Sequence, residues 1–428
     1  MTGELLCVGD IHLGRRPARL PAALGLDPET LTPVSAWGQV VELALERGSA
    51  AVLLAGDVVE SENAWFEAYG PLERGVRRLV EAGIEVCAVA GNHDAVALPR
   101  LARALDGFRL LGEGGRWEVH VLESPEVAGL RVAGWSFPGR SYDRDPLEGF
   151  PALDEREGPV VGLLHCDLDA SAGDYAPVRR SRLEALPVDA WLLGHLHGPS
   201  LGPGPRPVGY LGSLVGLDPS ETGEHGVWSL ERDPAGGFRA AMIPLAPLRW
   251  EHRTLDAAGL GGAGEELDEA VLGLMRESAA QAAAASPALR ALGCRIDLVG
   301  RSAAWRKLAE RVAGSRWEEL LFEHQGVSVF IDRVACRVDP DIDLEALAAE
   351  SNPLGLLARE LLEVRNGGPA WPSLRQELEE EFRRALHGAG LNRWVAGRMD
   401  EEDLRRALRE AGGQALGALF DQKQGDGA

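Results

Sequence analysis

Short apolar runs set between polar, glycine-rich segments dominate the first half of the chain. Leu5 to Val8, Ala51 to Ala55, Ile84 to Ala90, Val160 to Leu164 and Trp191 to Leu193 are too short for helices. Apart from Glu85 in the third they are free of polar side chains, the pattern of strands buried on both faces. Further strands are expected at Trp117 to Leu122, Leu130 to Trp135, Val208 to Gly212, Gly226 to Leu230 and Phe238 to Pro244, with the Gly/Pro-rich run from Gly198 to Gly209 as loop. Asn63 to Ala82 places Phe66, Tyr69, Leu72, Val76, Leu79 and Val80 near a 3.6 period and predicts a helix. Helical connections early and adjacent strands later predict an α/β fold with two packed sheets and helices outside.

Near residue 246 the pattern changes. Leu248 to Leu255 reads as a final strand or a linker, Leu267 to Ala285 as a helix closed by Ser286-Pro287, Cys294 to Val299 as a strand, Ala303 to Ala313 as a helix, and Val327 to Val338 as one or two strands. This predicts a small α/β domain over 246–340. From Leu344 onward the pattern is helical: Leu344 to Ala349, Pro353 to Val364, Leu374 to Leu386 and Asp403 to Ala411. The stripe Leu354, Leu357, Leu361 and Leu362 either packs on this protein's own body or docks a partner. Gln422 to Ala428 is polar and expected to fray. Three domains follow: 1–245, 246–340 and 341–428.

The early strands end in a recurring kind of residue. Gly9-Asp10-Ile11-His12, Gly56-Asp57, Gly91-Asn92-His93-Asp94, His165 and Gly194-His195-Leu196-His197 each follow or close an apolar run. Ligand types at strand ends can be gathered at one edge of a sheet, which makes a two-metal hydrolase the leading expectation. Of ten histidines, His12, His93, His165, His195 and His197 fall at these ends, whereas His120, His225, His252, His324 and His387 are scattered and read as surface or core residues.

Two divalent cations about 3.5–4 Å apart clamp a phosphate and activate water, and they need an anion between them. Asp57 is expected to bridge. Asp10 and His12, two residues apart, turn to one metal, while His195 and His197 serve one metal each. Asn92 offers a carbonyl oxygen and His165 an imidazole nitrogen. This mixed N/O set suits Mn, Fe or Zn better than Mg or Ca. His93 is expected to point at substrate and protonate the leaving oxygen, with Asp94 orienting its ring. A thiolate ligand from Cys166 fits poorly with so hard a ligand set.

Composition narrows the class. The chain of 428 residues, 45% hydrophobic and 26% charged, is long enough for two or three soluble domains and has no apolar run of membrane length. The first apolar run leads straight into a motif without a preceding basic region, so it reads as a strand and not a signal peptide. Five cysteines without CxxC pairing fit free thiols in a reducing cytoplasm, with Cys7, Cys87 and Cys166 in the core. A net charge of −22 argues against a protein held on nucleic acid by a uniform positive field.

The ordered set GDxH, GD, GNHD, H and GHxH is similar to that of the calcineurin-like metallophosphoesterases, over roughly residues 4 to 245. The resemblance implies a four-layer α/β/β/α sandwich with a two-metal site. It implies one metal on Asp10, His12, Asp57 and His197, the other on Asp57, Asn92, His165 and His195, and His93 as the catalytic histidine. Within that superfamily the chain looks most like the SbcD-type, YhaO-like DNA-repair exonucleases. The residues that carry this are Gly9 to Gly14, the segment Gly209-Tyr210-Leu211-Gly212-Ser213 followed by Glu221 and His225-Gly226-Val227, Arg301-Ser302, and Asn352 to Leu357.

That likeness implies manganese, DNA phosphodiester cleavage, an SbcC-like coiled-coil ATPase partner, a cap domain at 246–340, a helical docking region after it, and a homodimer. One departure is Val58-Val59-Glu60-Ser61, where many relatives carry an aromatic residue and an acid. A metallophosphoesterase acting on nucleotides, cyclic nucleotides or phosphoproteins is the alternative. A degenerate scaffold would have lost ligands, and this chain keeps them all. Arg140, Tyr142 and Arg144, in the loop Gly134 to Asp145, either contact phosphate or lie on an ordinary solvated loop.

Overall fold

The computed structural model describes residues 3–61, 65–154, 157–170, 172–261, 264–369, 371–388 and 401–425. Strands β1 (Leu5–Val8), β2 (Ala51–Ala55), β3 (Glu85–Val89) and β4 (Phe108–Leu110) pair in parallel. Strands β5 (Trp117–Val121), β6 (Arg131–Trp135), β7 (Val160–His165), β8 (Ala190–Gly194) and β9 (Val208–Tyr210) form a second sheet in chain order, parallel except at β5. The hairpin β10 (Gly226–Arg232) and β11 (Phe238–Pro244) returns to the first sheet, whose order is β11-β10-β1-β2-β3-β4.

The continuously apolar runs are explained by burial on two sides. Leu5, Cys7, Leu53, Cys87 and Val89 point into a core shared with Val132, Val161, Leu163 and Leu192 of the facing sheet. Their neighbours Leu6, Val8, Val52, Leu54 and Val86 point the other way, onto helices α1 (Pro33–Arg47), α2 (Trp65–Glu81) and α3 (Ala97–Ala104). The outer face of the second sheet is covered by Phe137, Leu147, Val178 and Leu183, the last on the short helix α4 (Arg180–Glu184). Helices, two sheets and an outer cover therefore stack as the four-layer arrangement that the sequence led us to expect. The start of the expected helix at Asn63 lies outside the described residues; the helix itself is described from Trp65.

After β11 come β12 (Leu248–Asp256), α5 (Gly264–Ala285), β13 (Ala291–Ser302), α6 (Trp305–Gly314), β14 (Leu321–His324) and β15 (Val327–Pro340). The strands form a third sheet in the order β12-β13-β15-β14. Leu248 to Leu255 is thus a strand and not a linker. Helices α7 (Leu344–Ala348), α8 (Pro353–Asn366), α9 (Trp371–Gly388) and α10 (Glu401–Gly425) end the described chain. Leu354 and Leu361 of the expected stripe are buried with Ala358 and Leu416, so that face packs on α10 within the helical region itself.

The last helix corrects the expected end at Ala411, and it continues through the segment expected to fray as far as Gly425. Gly412 and Gly413 look like helix breakers in the sequence. A Cβ on Gly412 would stand 2.3 Å from Leu361 Cδ2, so the glycine is there for close helix contact. The chain divides into two compact units. The first is 1–252, 275–295 and 317–332, and the second is 253–274, 296–316 and 333–428. Among the described residues no helix is long and apolar enough to cross a membrane.

Candidate metal centre

All the strand-end motifs lie in the first unit. Asp10 and Asp57 stand two residues past β1 and β2, Asn92 three past β3, His165 closes β7, and His195 follows β8. Parallel strands put these carboxyl ends at one edge, the usual place for a site in an α/β sheet. The loops are then stitched together. His12 N donates to Asp57 O at 2.9 Å, Leu13 N to Val58 O at 2.9 Å, and Glu60 N to Leu13 O at 3.0 Å.

The motif glycines are a matter of space. A Cβ on Gly91 would lie 2.1 Å from Asp57 Oδ1, and one on Gly194 would lie 2.0 Å from Ala55 O. The backbone around the site is also strained. Asp10 (φ 40°), His12 (φ 54°), Asp57 (φ 47°) and His195 (φ 111°) all have positive φ, which side-chain-bearing residues seldom adopt outside functional sites.

Two clusters of acceptors result. In the first, His12 Nε2 and His197 Nε2 face each other at 3.1 Å, with the carboxylate of Asp10 within ligand range of both. The far side of each ring is already met by an acid: Glu221 Oε1 is 2.8 Å from His197 Nδ1, and Glu60 Oε2 is 2.7 Å from His12 Nδ1. The Glu60 contact is close but poorly angled for a hydrogen bond. With Nδ1 carrying the proton, both Nε2 atoms present lone pairs to each other.

In the second cluster, His165 Nδ1 donates to Ala55 O at 3.2 Å, which leaves Nε2 unprotonated. That Nε2 faces Asn92 Oδ1 at 3.0 Å and Asp57 Oδ2 at 3.4 Å. Asp57 stands between the clusters, its Oδ2 also 3.9 Å from His12 Nε2. Converging acceptors without a donor repel unless a cation sits among them. Asp10–His12–His197 and Asp10–Asp57–His165 are each grouped closely enough to hold one.

Electrostatics point the same way. Asp10, His12 and His165 are fully buried and Asp57 nearly so. Burial and then the charge of Asp57 push Asp10 well above the usual carboxylate range. Burial works against ionised Asp57 as well, but His165, His12 and His93 together hold it below the usual value. Burial lowers His165, and it lowers His195 to about 4, which favours the neutral ring near pH 7, the form that binds metal, and leaves the charged ring of His165 to act on Asp57 only in acid.

Other expected residues fall differently. His195 N donates to Asp10 Oδ1 at 3.0 Å, while its ring rests against Tyr175 and its Nε2 lies 3.1 Å from Asp167 Oδ1. Only Nδ1 of that ring is left for an ion. His93 is exposed, with Nδ1 bonded to Glu60 O at 3.0 Å. Asp94 does not orient it, contrary to expectation. Asp94 is buried, and its oxygens accept from Gly91 N (2.8 Å), Val58 N (2.7 Å) and Val59 N (3.2 Å), so it ties the two motif loops together. Cys166 is a buried core residue whose thiol is pushed up by burial, as are Cys7 and Cys87.

Sequence reasoning gave no role to Glu60, Asp167 or Glu221. Each meets a motif histidine from outside the motifs. Glu60 and Glu221 lie in segments that the sequence comparison singled out, but nothing there paired either with a histidine.

Residues 4–199 match the family described as calcineurin-like phosphoesterase. The DNA double-strand break repair protein Mre11 of Aeropyrum pernix is 30% identical over 272 residues, covering 60% of this chain and 64% of that protein. The uncharacterized metallophosphoesterase YhaO of Bacillus subtilis is 30% identical over 210 residues, covering 44% of this chain and 47% of its own length. The chain therefore spans less than two thirds of the length of either relative. Among solved structures, the calcineurin-like phosphoesterase YfkN from Bacillus subtilis aligns over 56% of this chain and 89% of its own at 12% identity, with a TM-score of 0.33, too loose a superposition to bear on function. The matched stretch opens just before β1 and closes just after His197, so the whole acceptor cage lies inside it, and residues 4–199 form a calcineurin-like metallophosphoesterase domain.

Proposed function

We propose that this protein hydrolyses DNA phosphodiester bonds with two divalent cations, manganese first among them, and works with an SbcC-like coiled-coil ATPase. The observation that carries the chemistry is the pair of acceptor-only clusters meeting at Asp57. Bound there, paired cations would supply Lewis acidity to a phosphoryl oxygen and lower the pKa of a water.

The residues do the rest. Asp10, His12 and His197 hold one seat and His165 and Asn92 the other, with Asp57 shared and His195 joining the second through Nδ1. Asp57 Oδ1 accepts from His93 N at 2.9 Å, which turns Oδ2 towards the seats. His93, whose Nδ1 donates to Glu60 O, would have to be doubly protonated to act, and Nε2 would then hand its proton to the leaving oxygen and be left with a lone pair. Tyr175 on His195, and Arg144 over the Tyr142 ring at 5.7 Å, offer a stacking face and a phosphate contact near the site. The cap at 246–340 and the helices of 341–428 would position DNA and the partner, and pairing of two copies is part of the same reading.

DNA as substrate is supported by the likeness to Mre11. Nucleotides, cyclic nucleotides or phosphoproteins are the second reading, favoured by the net charge of −22, which a small substrate tolerates better than a polyanion does. The test is degradation of linear DNA with and without Mn2+, with and without the ATPase, beside hydrolysis of an aryl phosphodiester. Cleavage of both substrates is the expected result. Cleavage of the aryl ester alone selects the second reading, and cleavage of neither sinks both.

A further inference from the structure

His197 has the most completely built support of the cage histidines. Glu221 Oε1 lies 2.8 Å from its Nδ1. The other oxygen, Oε2, accepts from Leu217 N at 2.9 Å and from Ser213 Oγ at 3.3 Å. Ser213 is itself fixed to the same loop, because its N donates to His197 O at 2.9 Å. Ser213 is buried, and its Oγ also meets His225 Nδ1 at 3.0 Å. The segment from Ser213 to Glu221 thus forms an arch that begins on the backbone of His197 and ends on its ring. Nothing in the reaction outlined above uses this arch.

We propose that Glu221 is a positioning residue for the first cation seat: it keeps the proton of His197 on Nδ1 and aims the Nε2 lone pair at the ion shared with His12 and Asp10. This rests on the two-cation reading. An imidazole without a partner at Nδ1 can carry its proton on Nε2 or turn over, and either change removes a ligand. A carboxylate at Nδ1 forbids both and strengthens Nε2 as a donor to metal. Glu221 is held at its other oxygen by a backbone N–H and a buried hydroxyl, so it has no freedom to follow a wandering ring. The segment after the last motif therefore carries the acid that sets one ligand's tautomer.

The test is titration of the metal-free, full-length protein with Mn2+, followed by calorimetry, by ion counting after gel filtration, and by electron paramagnetic resonance of the loaded protein. Wild type should bind two ions and show a spin-coupled pair. Glu221→Ala should keep one ion at wild-type affinity and bind the other about 10–100-fold more weakly, with the coupled signal replaced by that of an isolated ion. Glu221→Gln keeps one oxygen able to accept from Nδ1–H but turns an NH2 towards Leu217 N–H, so it should recover part of the loss. That rescue separates tautomer control from a merely structural role, and it decides the matter if Glu221→Ala fails to fold. Two ions at unchanged affinity in Glu221→Ala would overturn the positioning role alone. Gln and Ala variants equally impaired would overturn it too. A wild type that binds no ion would overturn the two-cation reading together with it.

Discussion

His12 Nε2 and His197 Nε2 stand 3.1 Å apart, although the two residues are 185 positions apart in the chain. With His197 Nδ1 bonded to Glu221 and His12 Nδ1 beside Glu60, the two Nε2 atoms are placed to share a cation. His197→Ala should therefore lose one of two bound Mn2+ ions and keep the other, because His165, Asn92 and Asp57 are untouched. Mass spectrometric ion counting on the purified variant checks this. Loss of both ions, or of neither, would contradict two separable seats.

The buried carboxyls predict a proton count. Asp10 is pushed well above the usual range by burial and the Asp57 charge, and Asp94 is pushed to about 8 by the same two causes in spite of its three N–H bonds. An acid with a raised pKa keeps its proton until the pH climbs past that value. A cation arriving beside it takes the proton's place. Mn2+ affinity should rise with pH as Asp10 gives up its raised proton, and binding should release protons. Calorimetry in two buffers of different ionisation heat measures the release, and Asp10→Asn should reduce it. An identical heat in both buffers would count against the argument.

Asp94 and His93 are neighbours with opposite roles. Asp94→Ala leaves three buried N–H groups without an acceptor, each costing about 1–3 kcal/mol, so a large fall in the urea midpoint is expected. His93→Ala removes an exposed ring and should leave the midpoint nearly unchanged. Its turnover should fall about 10²–10⁴-fold with both ions still bound. Wild-type turnover in that variant would remove His93 from the reaction.

Gly91→Ala puts a methyl group onto Asp57 Oδ1 and should cost the bridging ligand, hence ions at both seats. Gly38→Ala is the control. That glycine is an exposed position of α1 with open space around it, and alanine should stabilise the helix by up to about 1 kcal/mol without touching the ion count. Ion counting and thermal melts on the two variants read both effects.

What the sequence made legible follows from periodicity and punctuation. Runs such as Ala51–Ala55 are apolar on both faces because both faces are buried, and glycine with a ligand type at the run's end marks where the chain leaves the sheet. The cage could be assembled from those two signals. Its outer support could not. Glu60, Asp167 and Glu221 carry no local pattern, and a glutamate's reach depends on how distant loops fold. Asp94 misled for a related reason: adjacency to His93 suggested a pair, but the loop turns the carboxylate inward onto backbone N–H groups. The long final helix was hidden by Gly412, whose purpose emerges only once Leu361 lies against it.

The positive φ angles at Asp10, His12, Asp57 and His195 reach beyond chemistry. A ring of crowded carboxylates and twisted peptide units is tolerable while ions draw it together. Stripping them with a chelator would leave the loops after β1 and β2 held by their backbone bonds and by Asp94 against that crowding, and these loops are then where a protease is expected to enter first. A cell starved of divalent metal would then hold fewer copies of this protein, and not simply idle ones.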